Sequence, residues 1–109
     1  MGRRLAVLVL AAMEDPELRK VVLGRIRSST THPEAATLVR ETVTKDMLRL
    51  ASALSDDRPE ARAVMVGSYV VGVALARYVV MIEPLASMST AEVVDLVAPT
   101  FQHYLVEPL

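Results

Sequence analysis

Residues 61–85 read ARAVMVGSYVVGVALARYVVMIEPL, and this stretch decides the fold. From Ala63 to Ile82, Arg77 is the sole charged residue, and the run stops at Glu83-Pro84-Leu85. So long an uninterrupted apolar run reads as a helix, since strands are much shorter. Val66, Tyr69, Val70, Val73 and Val80 cover much of its circumference, and Val71, Leu75 and Val79 flank another stripe. A helix that is apolar nearly all round has to be buried nearly all round. Ser68, Gly72 and Ala76 recur every four residues, and small residues let a second helix approach closely. A chain of this size has too few helices to cover such a surface. The simplest cover is a second copy.

Working outward, residues 90–105 form another helix, carrying Val93, Val94, Leu96, Val97, Phe101, Tyr104 and Leu105. Pro99 inside it removes a backbone donor and is expected to kink it. The two helices together predict a homodimer with a four-helix interface. Its expected residues are Ser68, Gly72, Leu75, Ala76, Val79, Val97, Phe101 and Tyr104.

Helix starts are written plainly. Asp15-Pro16-Glu17 gives a cap, then proline in the first turn, then an acid. Thr31-His32-Pro33-Glu34, Asp57-Arg58-Pro59-Glu60 and Ser89-Thr90-Ala91-Glu92 have capping-box spacing, in which cap oxygen and Glu satisfy orphan N–H groups. Five helices are predicted, over 2–14, 15–28, 32–54, 58–83 and 90–105, in one all-α domain spanning 1–109. On the third helix Ala36, Val39, Val43, Met47, Leu50 and Leu54 step along one face, with charges opposite.

Composition supports this fold class. The chain is 52% hydrophobic yet has only four aromatic residues, so aliphatic side chains and methionine fill the core. Without cysteine, disulfides and thiol chemistry are excluded; the absence is compatible with a reducing cytoplasm. Residues 1–49 hold nine basic and six acidic residues, and residues 50–109 three and seven. That excess is too weak for DNA binding by phosphate neutralisation alone. Arg19, Lys20, Arg25 and Arg27 are the only notable basic crowd. Met1-Gly2-Arg3-Arg4 before an apolar run imitates a signal peptide, but the run is short and its cleavage site poor. Ala63–Ile82 is long enough to span a bilayer, but Arg77 near its centre argues against a membrane role.

Catalytic equipment is sparse. His32 lies in a cap and His103 near a helix end. No metal-ligand spacing, phosphate loop or nucleophile elbow is present. No enzyme, metal or cofactor is expected. Arg77 must reach water or find a carboxylate; a structural ion pair is the plainer reading, and anion recognition in a pocket the sharper one. Met13, Met47, Leu50, Met65 and Tyr69 are expected, with Arg77, to line a pocket between the first, third and fourth helices. Thioethers repack at small cost and suit an adaptable wall, although plain core filling is the favoured reading of them.

Gly2-Arg3-Arg4-Leu5, Glu14-Asp15-Pro16, Gly72-Val73-Ala74-Leu75-Ala76-Arg77-Tyr78, Glu83-Pro84-Leu85-Ala86 and Ala98-Pro99-Thr100-Phe101-Gln102-His103-Tyr104-Leu105 resemble, in order and spacing, the C-terminal domain of actinobacterial tetracycline-repressor-like (TetR-family) transcriptional regulators. The resemblance covers essentially the whole chain. It implies the effector-binding and dimerising half of a cytoplasmic repressor, in which a small apolar ligand relieves operator binding. The family's N-terminal helix-turn-helix domain is absent from the sequence. Operator DNA would therefore be a partner only through a domain preceding Met1. The alternative is a helical dimerisation module without a ligand.

Overall fold

The structure is a computed structural model describing residues 1–109, with Val43 described by its backbone alone. It has five helices in the order expected and, among the described residues, no strand. They are α1 (Gly2–Glu14), α2 (Pro16–Ser28), α3 (33–54), α4 (Pro59–Val79) and α5 (Thr90–Val106). Helix α3 runs from Pro33–Thr42 through a π-helical turn, Val43–Met47, into Leu48–Leu54. Helix α4 ends in a second π-helical turn, Leu75–Val79, and a short 3₁₀ turn at Leu85–Ser87 precedes α5. The side chain of Val43, expected on the apolar face of α3, lies outside the described set.

The core is built by three helices. Leu5, Ala6 and Leu10 of α1, Val66 of α4, and Val93, Val94, Val97, Phe101 and Leu105 of α5 form one buried cluster. Full burial of a side chain as large as Phe101 contributes about 1.5–3 kcal/mol. Helix α1 lies on α5 almost backbone to backbone: a Cβ at Gly2 would stand 2.7 Å from the Ala98 carbonyl oxygen, so only glycine fits. The Gly2 amide donates to Gln102 Oε1 at 2.8 Å, using one of the orphan donors of the helix start. Helix α2 contributes no buried residue and rests with the first half of α3 outside this core. The subunit is a slab 34 × 34 × 20 Å, two helix layers thick.

Two of the expected caps form. Asp15 Oδ1 accepts from the Glu17 amide at 2.9 Å, and Ser89 and Glu92 make a reciprocal box. The motif at Asp57 is used differently. Arg58 takes the cap position in a left-handed conformation, φ 51°, with no side-chain cap. The Asp57 carboxylate instead accepts from Arg62 Nη2 at 2.9 Å. A charge-assisted bond to a buried guanidinium is stronger than a bond to a neutral amide. Arg62 is 1% exposed; its Nε donates to the Asp57 carbonyl at 2.6 Å and its Nη1 to the Tyr104 carbonyl at 2.9 Å. It thus ties the start of α4 to the end of α5. Pro99 leaves α5 continuous. It is exposed, as is Asp95, so the carbonyl it leaves without an amide is on the wet side of the helix.

At the end of α4 the chain turns through Met81, whose φ is 61°. The Val80 amide donates to the Leu75 carbonyl and the Ile82 amide to the Ala76 carbonyl, both at 2.8 Å. The first is a π-helical bond, and the second closes a loop one residue wider than that of the usual left-handed helix stop. Glycine is the usual residue there, and Met81 is 65% exposed, so little packing offsets the backbone cost. Met81→Gly is expected to raise the urea midpoint by about 0.5–1 kcal/mol of stability, at unchanged slope. For the Arg62 clamp, Asp57→Ala is expected to cost about 3 kcal/mol because it leaves a buried guanidinium without its carboxylate. Arg62→Met, which removes the charge and refills the space, should cost less in the same unfolding assay.

Candidate functional site

The faces of α4 are now assignable. Arg62, Ala63, Val66, Gly67, Ala74 and Arg77 point inward. Val64 and Met65 are 50% and 42% exposed, and Ser68 and Gly72 are exposed beside them. This outward face borders a groove between α3 and α4. One part, lined by Val39, Arg40, Thr44, Ser68, Val71 and Gly72 among others, has a volume of ≈ 440 Å³. A second part, of ≈ 380 Å³, runs from Thr44 and Val64 to Glu60 and Ala61. The two share Thr44 and Val64, so the groove follows α4 from Glu60 to Gly72. A Cβ at Gly72 would meet nothing within 4 Å. The subunit itself therefore does not require glycine there.

Of the eight residues expected at an interface between copies, Ser68 and Gly72 are exposed, and Leu75, Ala76, Val79 and Tyr104 are half-buried. Val97 and Phe101 are corrected: at 4% and 1% exposure they belong to the subunit's own core, where Phe101 meets the Tyr69 ring edge-on at 5.8 Å. The physical reason is that α5 is apolar on more than one face, and the face carrying Val97 and Phe101 packs on α1 and α4. Leu96, 60% exposed, is the apolar residue that α5 turns outward.

The six residues expected around a pocket do not converge. Met13 is buried at the end of α1, and Met47, Leu50 and Tyr69 pack against the central cluster. Met65 faces outward. Arg77 lies at the far end of α4, 8% exposed, and completes a knot of four elements. Its Nη1 donates to the carbonyls of Leu85 at 2.6 Å and Met88 at 3.0 Å. Its Nη2 lies 3.9 Å from Glu14 Oε1, which also accepts from Thr90 Oγ1 at 2.7 Å. Arg77 therefore fixes the connection leading into α5, as the structural-pair reading expects. The enclosed space inside the subunit is a crevice between α1, α4 and α5 of only ≈ 10 Å³, away from α3.

The basic residues of α2 are partly engaged. Arg19 donates to the Met13 carbonyl at 3.0 Å and lies over the Tyr78 ring at 5.3 Å, while Lys20 is 3.9 Å from Glu17. Arg62 is the polar residue that the sequence did not single out. Its signal, a charge next to the apolar run with a carboxylate five positions earlier, is local and weak.

The sequence profile described as "Tetracyclin repressor-like, C-terminal domain" matches residues 1–105. No curated protein and no solved structure matches the chain. The matched stretch includes all of the buried α1–α4–α5 cluster and the Arg77 knot, and the chain belongs to the family of tetracyclin repressor-like C-terminal domains.

Proposed function

We propose that this chain is the effector-sensing and dimerisation half of a transcriptional repressor, acting in the cytoplasm. Membership of the family supports a regulatory, ligand-binding and dimerising role in general. The observation that carries the specific reading is the outward face of α4. Val64, Ser68 and Gly72 border an apolar-floored groove that the subunit leaves uncovered. A second copy laying its own α4 and α5 there would bury this surface, with Ser68, Gly72, Leu75, Ala76, Val79 and Tyr104 at the contact. In the intact regulator a DNA-reading domain would precede Met1. A small apolar effector held by each subunit would change the separation of the two DNA-reading heads and so release the operator.

A helical dimerisation module without a ligand is the second reading, favoured by the nearly filled subunit interior. A melting screen against small apolar compounds separates the two, because a binder of the native state raises the melting point. If no compound moves it, the module reading stands.

Gly72→Leu tests the interface. A Cβ at this exposed position meets nothing in the single subunit, and leucine is a better helix former by about 0.8 kcal/mol. Subunit stability should hold or rise. Overpacking a close helix contact costs about 1–3 kcal/mol, so the dimer should weaken by about 5–150-fold in sedimentation equilibrium. Unchanged association would remove Gly72 from the interface.

A further inference from the structure

Departures from ordinary helix chemistry are concentrated between Leu75 and Met81, at the end of α4. Leu75–Val79 is a π-helical turn, a rare geometry that recurs at functional sites. Arg77 Nε and the Tyr78 hydroxyl are buried with no hydrogen-bond partner among the described residues, and each such orphan lowers stability. Met81 holds φ at 61°, in the region that suits glycine. Local costs of this kind cluster in segments that switch between two arrangements.

The same turn is attached to two different parts of the molecule. Leu75, Ala76 and Val79, all half-buried, belong to the face assigned above to a second copy. Arg77 is buried, and Tyr78 turns its hydroxyl into the subunit. The guanidinium groups of Arg77 and Arg19 each stand 5.3 Å from the centre of the Tyr78 ring. Arg19 belongs to α2 and also donates to the Met13 carbonyl at 3.0 Å. Helix α2 contributes no buried residue, so little packing competes with Arg19 in fixing it against α4. A cation–π contact is weak enough to open and close, yet strong enough to bias an equilibrium severalfold.

We propose that the end of α4 is a two-position element that couples association of the chain to the seating of α2. In the position described here Arg19 rests on Tyr78, and Leu75, Ala76 and Val79 are presented to a second copy. In the other, the π-helical turn tightens to an α-helical one. Loss of the extra residue rotates the end of the turn by up to about 100° around the helix axis, which carries Tyr78 away from Arg19 and releases α2. A second copy selects the first position, so association and the seating of α2 favour each other, as linkage requires. Arg19 and Tyr78 act here as positioning residues. The inference rests on the dimer reading above and adds a route from the contact between copies to α2.

The test uses the full chain. Sedimentation equilibrium fixes the dimer fraction of each sample, and hydrogen exchange followed by NMR reads α2 amides such as Val22 and Leu23. In wild type these amides are expected to exchange about two- to fivefold more slowly in the dimer than in the dilute monomer. Arg19→Gln should weaken the dimer by a comparable factor, whereas Arg25→Gln, exposed on the same helix, should not. Tyr78→Leu should weaken the dimer as Arg19→Gln does and leave α2 equally exchangeable in monomer and dimer. Tyr78→Phe, which keeps the ring and removes the orphaned hydroxyl, should behave as wild type in both measurements. Equal exchange of α2 in wild-type monomer and dimer overturns the proposal and leaves the dimer reading standing. Protection of α2 that survives in Tyr78→Leu dimers also overturns it, because a partner then covers α2 directly. A chain that stays monomeric at high micromolar concentration brings down both.

Discussion

The arrangement of this subunit depends on two guanidinium groups buried at opposite ends of one apolar helix. Arg62 in the first turn of α4 reaches the Tyr104 carbonyl near the end of α5. Arg77 in its last turn reaches the carbonyls of Leu85 and Met88, just before α5 begins. Fifteen residues separate them, about 22 Å along the helix. The antiparallel α4–α5 pair is therefore fixed at both ends, and its rotation and register are set before any apolar contact is counted. Removing a guanidinium from water is expensive; Arg62 offsets this by bonding through all three of its nitrogens, and Arg77 by two carbonyls on Nη1 with Glu14 nearby.

Once α4 and α5 are fixed, α5 packs along α1, and α4 turns one face into the shared core. Gly2 lets α1 approach the backbone of α5, and the shared cluster closes with Phe101 and Leu105 at 1% exposure. The opposite face of α4 has no such cover. Val64 and Met65 remain in solvent beside Ser68 and Gly72, in a slab two helices thick. A fold that spends its interior polar bonds on holding α4 rigid while leaving that face open is suited to association through it. Helix α2 is different. Without buried residues, it is joined to the core side mainly by Arg19, over Tyr78 and onto the Met13 carbonyl.

The parts legible in the sequence are those written locally. Asp15 and Ser89 cap as their spacing implies, because the partners are two or three residues away. The number and order of helices follow from periodicity and proline placement. Which face of an all-apolar helix turns inward is not local. Val97 and Phe101 read as equally able to meet a second copy, and only the packing of α1 decided between them and Leu96. Arg62 escaped notice because its decisive acceptor is 42 residues away. The π-helical turns at Val43–Met47 and Leu75–Val79 have no composition signal of their own. For the same reason the methionines, scattered over several faces, do not share one pocket wall. Tyr78, next to Arg77, lines the crevice inside the subunit.

The central claim is that the outward face of α4 receives a second copy of the chain. The sequence has no cysteine, so Glu60→Cys accepts a single spin label at an exposed position at the start of α4. Unlabelled chain carrying that spin label is mixed with ¹⁵N-labelled wild type. Relaxation enhancement across molecules should fall on outward amides of α4 and α5, among them Ser68, Gly72 and Leu96, and should spare Thr37 and Glu41 on α3. No intermolecular broadening at high micromolar concentration, or broadening confined to α2, would contradict the account.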